Sequence, residues 1–263
     1  MKDFSLDRDL TEGYVLTVDK PYGWTSSDVV RKIRYLLRSA GYRKIKVGHA
    51  GTLDPLATGV LVVCIGRATK QADALQAEEK EYVAGIRLGA TTASFDLEHP
   101  VDATYPTDHI TESAVREALA SMTGEQEQIP PVFSAKQIAG RRAYDYAREG
   151  EEVEMKPVRI TVVSAEAVDM DLPDVTVDIV CSKGTYIRSF ARDLGMALES
   201  GAHLTSLRRT RSGAYTLDDA YTLDEIESVL RPDAPERRDD TDKKNIEPHG
   251  SHTSRRAGVL DTE

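Results

Sequence analysis

The chain has 263 residues, 40% of them hydrophobic, which is enough to build a sizeable core and argues against a wholly disordered protein. The two cysteines, Cys64 and Cys181, form no Cys-x-x-Cys pair, which argues against a disulfide framework and a thiolate metal site. The net charge of -10 gives no general attraction to nucleic acid, and the lack of a signal-peptide core or a run of ~20 apolar residues favours a cytoplasmic protein without a membrane span.

The first elements are a strand, a turn and a helix. Gly13–Val18 is predicted as a strand, and Asp19-Lys20-Pro21-Tyr22-Gly23 ends it as a turn. Ser26 or Ser27 then caps a helix, which Gly41 ends. Its apolar residues recur at helical spacing: Val29, Val30, Ile33, Leu36 and Leu37. Arg31–Lys46 contains seven bases and no acid, a patch that either binds phosphates or forms a solvated face.

The later elements mix strands and helices without a strict β-α-β rhythm, which predicts an α+β domain with a mixed sheet. The segment Gly48–Gly59 is predicted as a loop that leads into a buried strand, Val60–Ile65. The remaining predictions are strands at Tyr82–Leu88 and Val175–Cys181, and helices at Thr111–Met122 and Ser189–Glu199, the last ended by Gly201.

Two segments differ in composition from the rest. Residues 126–150 interleave basic and aromatic side chains (Arg141, Arg142, Tyr144, Tyr146 and Arg148), as an RNA-contacting insertion does. From Arg231 to Glu263 the chain is charged and polar, so we expect a disordered tail there.

The segment with the strongest chemical signal is Gly48-His49-Ala50-Gly51-Thr52-Leu53-Asp54-Pro55-Leu56-Ala57-Thr58-Gly59. Its three glycines allow tight turns, and Pro55 favours an extended backbone at Asp54. A carboxylate with an ordinary pKa of ~3.9 is ionised at neutral pH and can act as a nucleophile. The alternative is that Asp-Pro is a structural turn. The segment lacks the pattern of a phosphate-binding loop or a metal site, and the lone His49 is more typical of a hydrogen-bonding or base-contacting group.

This segment resembles the signature of the TruB family of pseudouridine synthases. Four further motifs resemble the family's in the same order: Asp19–Ser26, Lys80-Glu81-Tyr82, Cys181–Ser189 and Leu207-Arg208-Arg209. The resemblance covers roughly residues 13–215. It implies the pseudouridine synthase catalytic fold over residues 10–230, a mostly antiparallel sheet flanked by helices and loops, with an RNA-binding insertion at 126–150. It also leads us to expect an accessory C-terminal RNA-binding domain that is short or absent.

The resemblance implies an isomerase that converts the T-loop uridine of transfer RNA, at position 55, to pseudouridine on a flipped-out nucleotide, without cofactor or metal. Asp54 would be the nucleophile and Arg188 its ion-pair partner. Tyr82 would stack on the base and take part in removing its ring proton, and Leu207 would pack on the other side. Each has an alternative: Arg188 as an ordinary phosphate contact, and Tyr82 and Leu207 as core residues.

Supporting roles follow from the same motifs. Substrate-binding roles are predicted for Lys20, His49, Asp96 and Tyr186, and RNA contacts for Arg141, Arg142, Arg208 and Arg209. The neighbourhood of Asp96 departs from the family's pattern, because Ala93 stands where a second aspartate is usual, and this weakens the prediction of a polar network there.

Several readings of the function remain open. The Asp54–Gly59 segment and the insertion look more like the stand-alone bacterial branch, which predicts a monomer that binds the T stem-loop of tRNA without an obligatory protein partner. The alternatives are an RNA-binding or tRNA-folding protein with secondary catalysis, and a guide-dependent pseudouridine synthase. A hydrolase is a more distant alternative, because it would need a base or metal partner that the sequence does not show.

Overall fold

The computed structural model describes residues 2–134 and 155–231, together with the backbone of two residue pairs between them, 137–138 and 141–142. Five helices lie in these residues: α1 (Ser26–Ser39), α2 (Ala72–Ala77), α3 (Glu112–Ser121), α4 (Ile187–Ala197) and α5 (Leu223–Leu230). The longer strands are β1 (Tyr14–Lys20), β2 (Val47–Ala50), β3 (Thr58–Ile65), β4 (Lys80–Leu88), β7 (Gly124–Gln128), β10 (Val158–Asp171), β11 (Asp174–Cys181) and β12 (Ala202–Ser212). The shorter ones are β5 (Ala90–Thr92), β6 (Val101–Thr104), β8 (Gln137–Ile138), β9 (Arg141–Arg142) and β13 (Tyr215–Thr216).

Nine strands form one sheet. Its order is β1-β3-β12-β4-β11-β10-β7, with β2 also paired to β3 and β13 to β12. Within the described residues the pairings of this sheet are antiparallel except at β3–β12, where Thr58 and Gly59 lie parallel to Arg208 and Arg209. The predicted α+β class with a mixed, mostly antiparallel sheet is confirmed.

The parallel junction between β3 and β12 separates two hydrophobic clusters. One is built from β4, β10, β11 and β12 with helices α3 and α4, and includes Ile86, Val177 and Phe190. The other is built from β1 and β3 with helices α1 and α5, and includes Leu16 and Ile33. Burial of apolar surface is the main favourable term in folding, so each cluster stabilises its own part of the sheet. A loop at the junction is therefore supported by packed structure on both sides.

Helix α1 begins one residue earlier than predicted. Its N-cap is Thr25, whose hydroxyl accepts a hydrogen bond from the Asp28 backbone N–H, while the Asp28 carboxylate accepts from the Thr25 N–H. This capping box replaces the predicted Ser26 or Ser27 cap, because Ser26 is buried and its hydroxyl bonds the backbone of Leu53 instead.

Three other boundaries needed correction. The predicted loop 48–59 is shorter, since Val47–Ala50 pairs with β3 as strand β2 and β3 already begins at Thr58. The predicted insertion begins too early, because Gln126–Gln128 belongs to β7 and pairs with β10. Helix α4 spans Ile187–Ala197 and therefore lies two residues before the predicted Ser189–Glu199.

Strands β10 and β12 were not predicted. Of the predicted tail, only Arg231 lies among the described residues; it follows α5, and its guanidinium lies 5.0 Å from the centre of the Tyr35 ring. None of the helices in the described part of the chain combines the length and apolar character needed to cross a membrane.

Candidate active site

The loop that carries Asp54 runs over residues 51–57, between β2 and β3. At one end of it, Gly59 has a φ of +99°, and a Cβ atom there would lie 2.2 Å from the Arg209 carbonyl oxygen, so only glycine fits this close approach. On the helix side, the Ser26 hydroxyl accepts from the Leu53 N–H at 2.9 Å and donates to the Leu53 carbonyl at 3.1 Å. The residue before Asp54 is therefore fixed to the N-terminus of α1.

Lys20 holds the same loop from below. Its side chain is fully buried, and its ammonium donates to the carbonyl oxygens of Trp24 at 2.6 Å, Pro21 at 3.0 Å and Pro55 at 3.2 Å. Burial lowers the pKa of Lys20 to about 8, against the opposing attraction of Asp54. The structure places Lys20 beneath the loop as a backbone support, and the predicted substrate contact is not seen in this geometry.

Arg209 is also a backbone support. Only 1% of it is exposed, and its Nε donates to the Val60 carbonyl at 2.7 Å while Nη2 donates to the Gly51 carbonyl at 3.1 Å. A guanidinium used in this way offers almost no surface to a phosphate, so this geometry does not support the predicted RNA contact of Arg209. Its neighbour Arg208 is 42% exposed, pairs with Asp19 at 2.8 Å, and is accessible to RNA.

Asp54 and Arg188 form an ion pair at the centre of the site. The Nε atom of Arg188 donates to Oδ2 of Asp54 at 2.8 Å. The other two nitrogens of the guanidinium donate to the carbonyl oxygens of Ser94 at 3.2 Å and Phe133 at 2.9 Å. The Arg188 side chain is 5% exposed and that of Asp54 is 37% exposed, so a buried cation holds one face of an accessible carboxylate.

Asp96 is a second carboxylate on the same guanidinium. Its Oδ2 lies 3.7 Å from Nε of Arg188, while its Oδ1 accepts from the Ser94 hydroxyl at 2.6 Å and from the Glu98 N–H at 3.0 Å. Asp96 is buried, whereas Ala93, at the position where the family usually has aspartate, is exposed. Asp96 thus neutralises Arg188 from the protein interior.

A pocket of about 310 Å³ opens beside Asp54. It brings together six of the predicted site residues: Asp54, Tyr82, Tyr186, Arg188, Leu207 and Arg209. Tyr82 and Leu207 lie on the neighbouring strands β4 and β12, and burial raises the pKa of Tyr82 and of Tyr186, so both phenols are protonated at neutral pH.

Three predicted residues lie elsewhere. His49 is on β2 opposite Val63 and does not line the pocket; burial lowers its pKa, and its Nδ1 is buried with no hydrogen-bond partner among the described residues. Arg141 and Arg142 form β9, which pairs with β8, and their side chains lie outside what the structure describes.

Sequence reasoning assigned no role to Lys80, which also lines the pocket. It is 5% exposed, and its ammonium donates to the Gln76 carbonyl at 2.5 Å and to the Glu78 carbonyl. Burial lowers its pKa to about 8, with a further contribution from Arg209. The signal that could have revealed it is the spacing of two from Tyr82, which directs both side chains to one face of a strand.

No group of three or more His, Cys, Asp or Glu side chains within the described ranges is arranged to hold a metal ion. The chemistry available from these residues is that of an exposed carboxylate, the arginine beside it, and a pocket with aromatic, aliphatic and cationic walls.

Two family models match the chain. The N-terminal domain of the TruB family of pseudouridylate synthases matches residues 38–187, and the C-terminal domain of tRNA pseudouridylate synthase B matches residues 188–243.

Curated relatives match over most of their length. A tRNA pseudouridine synthase B of Phocaeicola vulgatus is 58% identical over 209 residues, which are 79% of this chain and 89% of that protein. A protein of the same name from Thermobifida fusca is 50% identical over 220 residues, 81% of this chain and 73% of its own.

Solved structures give the same fold. The crystal structure of a Cbf5-Nop10-Gar1 complex matches with a TM-score of 0.65 and 30% identity, over 84% of this chain and 55% of the matched chain. An H/ACA RNP bound to a substrate RNA containing 2'-deoxyuridine matches with a TM-score of 0.60 and 29% identity, over 82% of this chain and 53% of the matched chain. The present chain therefore spans about half the length of the chains it matches in these complexes.

Proposed function

The chain belongs to the TruB family of pseudouridine synthases, and on that premise we propose that it isomerises the T-loop uridine of tRNA, at position 55, to pseudouridine. The observation that carries the proposal is the Asp54 carboxylate, held by Arg188 on one side and exposed to the pocket on the other. The relatives named tRNA pseudouridine synthase B support tRNA as the substrate.

The reaction exchanges a carbon–nitrogen bond for a carbon–carbon bond. The bond between ribose C1' and uracil N1 breaks, the base turns within the pocket, and C5 bonds to C1'. Asp54 either adds to C1', through a bond that breaks again when C5 joins C1', or takes a proton from C2' and returns it in the same step. Arg188 orients the carboxylate for either route. C5 then loses its proton and N1 gains one, so the product is an isomer of the substrate.

The pocket walls hold the base during this exchange. Tyr82 and Leu207 lie on adjacent strands and offer an aromatic and an aliphatic surface to a flipped uracil. Tyr82, whose phenol interacts with Asp54 and Arg209, would take part in removing the C5 proton by accepting it while the phenol's own proton passes to solvent. Tyr186, at the N-cap of α4, would close the pocket beside Arg188.

Extraction of the nucleotide from the stacked T-loop costs a few kcal/mol, which contacts with the RNA backbone must offset. Exposed basic side chains that would contact the RNA backbone are Arg208 and, on α1, Arg31 and Arg38. We assign His49 to the RNA face of β2, and Arg141 and Arg142 to an insertion that contacts the RNA. The enzyme would act as a monomer in the cytoplasm, without a guide RNA or protein partner.

The test is pseudouridine formation in an unmodified tRNA transcript with no other macromolecule present, followed by tritium release from uridine labelled at C5. Asp54→Asn should lower turnover by about 10³-fold or more while binding the transcript normally. Asp174→Asn, which removes a surface carboxylate paired with Arg87, is the matched control and should react like the wild type.

Turnover by Asp54→Asn at the wild-type rate would overturn the role of Asp54. Activity that appears only after a guide RNA is added would instead place the chain in a guide-dependent branch.

A further inference from the structure

One wall of the pocket carries buried positive charge that no carboxylate of the described residues pairs with. Lys80 is 5% exposed and Arg209 is 1% exposed. Their hydrogen bonds go to backbone carbonyls, and neither forms an ion pair with an acid in the part of the chain that the structure describes. Arg188, in contrast, has two carboxylates within 4.0 Å. The excess positive charge of the pocket therefore lies on the Lys80 side.

The two cations flank the tyrosine that is proposed to contact the base. Lys80 and Tyr82 are two residues apart on β4, so their side chains leave the same face of the sheet. Arg209 is the cross-strand partner of Tyr82 on β12. A Cβ atom on Gly51 would lie 3.6 Å from Nη1 of Arg209 and 4.0 Å from Cε of Lys80, so the cations meet beside the loop of Asp54.

Cleavage of the glycosidic bond creates a negative charge on the base. When the bond between C1' and N1 breaks, its electron pair stays on N1, and the charge of the uracil anion spreads over N1, O2 and O4. The positive charge that develops on the ribose is compensated by the Asp54 carboxylate. Preorganised charges aimed at a developing anion in a water-poor site are among the largest contributions to catalysis.

We propose that Lys80, supported by Arg209, stabilises the uracil anion that forms when the glycosidic bond breaks. The proposal rests on the function proposed above and adds a catalytic residue to it. Two of the three donors of the Lys80 ammonium are used by the carbonyls of Gln76 and Glu78, which leaves one for an oxygen of the base. Lys80 forms no covalent bond. The charge of the base is discharged when C5 bonds to C1', and the neutral adduct then loses the C5 proton and gains a proton at N1.

The dependence of the rate on the leaving group tests this role. T stem-loop RNAs are prepared with either uridine or 5-fluorouridine at the target position, because fluorine at C5 stabilises the base anion by itself. Under single turnover, with enzyme in excess, loss of the intact target nucleoside is measured in nucleoside digests. Lys80→Gln keeps a hydrogen-bond donor for the two carbonyls but removes the charge, and Lys80→Arg keeps the charge.

We expect Lys80→Gln to slow the uridine RNA by about 10²-fold and the 5-fluorouridine RNA by about tenfold or less, with unchanged RNA affinity. Lys80→Arg should keep the wild-type ratio between the two RNAs. The matched control is Lys70→Gln, which removes an exposed lysine outside the pocket and should change both rates equally, by at most about fivefold.

Equal slowing of both RNAs by Lys80→Gln would overturn the proposal and leave Lys80 as a support of the chain around Gln76. If the neutral variant does not fold, Lys80→Arg decides, since a changed ratio in that variant contradicts a role for the charge. A wild-type enzyme that forms no pseudouridine in the uridine RNA would instead contradict the proposed function itself.

Discussion

The buried cations around the pocket have two kinds of partner, carboxylates and backbone carbonyl oxygens. On the side of Asp54, Arg188 lies between two carboxylates, at 2.8 Å and 3.7 Å. Lys80 on β4, Arg209 on β12 and Lys20 beneath the loop are instead buried against backbone carbonyl oxygens. The first arrangement tunes a reactive side chain, and the second fixes the course of the backbone.

The difference has an electrostatic consequence. A carbonyl oxygen satisfies the donors of a cation but carries no full charge, so the carbonyl-held side remains positive. On the carboxylate side, Arg188 adds one positive charge to the two negative charges of Asp54 and Asp96. In the reaction proposed above, the net charge is therefore negative around Asp54, which faces the sugar, and positive around Lys80, which faces the base.

The strongest way to break this comparison is to remove the charge of Arg188. Arg188→Met should lower the single-turnover rate by about 10²- to 10³-fold, because Asp54 loses its orienting donor. It should also lower the free energy of unfolding by about 3 kcal/mol, because Asp96 is left buried without its cation. The measurements are tritium release and urea unfolding.

Arg188→Lys separates charge from geometry. Lysine keeps the charge but cannot donate at once to Asp54 and to the carbonyls of Ser94 and Phe133. We expect it to recover most of the stability and little of the rate. Full recovery of the rate by lysine would show that the fork geometry of Arg188 is not needed.

Arg208 and Arg209, adjacent on β12, allow the two kinds of partner to be compared directly, because Arg208 pairs with a carboxylate and Arg209 with backbone carbonyls. Arg209→Met should cost about 3 kcal/mol of unfolding free energy, since the carbonyls of Val60 and Gly51 lose a buried donor. Arg208→Met removes a partly exposed pair with Asp19 and should cost less than about 1 kcal/mol. The salt dependence of RNA affinity should show the reverse: its slope falls by about one unit for Arg208→Met and not for Arg209→Met.

A loss of phosphate contacts in Arg209→Met, with no loss of stability, would contradict the burial of this side chain. The same outcome would restore the RNA contact that the sequence alone predicted for it.

The site residues that could be predicted from the sequence are those that lie in short sequence motifs. Asp54 stands on a glycine-rich, proline-bounded loop, and Arg188 and Tyr82 lie in motifs that resemble those of the family. The structure brings all three to one pocket. Strand β4 and helix α1 were also predicted, because periods of two and of 3.6 residues are visible in a short window.

The roles of Arg209 and Lys80 could not be read in this way. The carbonyls that satisfy Arg209 come from Val60 and Gly51, about 150 residues earlier in the chain. Strand β12 itself was missed because its arginines resemble a solvated basic cluster, and only the parallel contact with β3 buries one of them. Likewise, the Ser26 hydroxyl was predicted as a helix cap, whereas its partner is Leu53 on the loop.

The pH dependence of stability is the smallest expected effect. The groups that act on Lys80 in the fold are Arg209 and Lys183, which lower its pKa, and Cys181 and Glu78, which raise it; burial dominates and leaves the pKa at about 8. In the unfolded chain a lysine has a pKa of ~10.4. Between these two values the unfolded state binds more protons than the folded state, so the free energy of unfolding rises with pH.

Lys80→Gln lacks this contribution. Relative to that variant, the wild type should therefore gain stability between pH 7.5 and pH 9.5, as measured by urea unfolding at fixed ionic strength. Lys20, with a pKa of about 8, contributes equally to both proteins and cancels in the difference. A stability difference that stays constant or falls with pH would mean that Lys80 keeps its proton when the protein is folded. Burial of its ammonium against carbonyl oxygens would then cost no more free energy than its hydration in water.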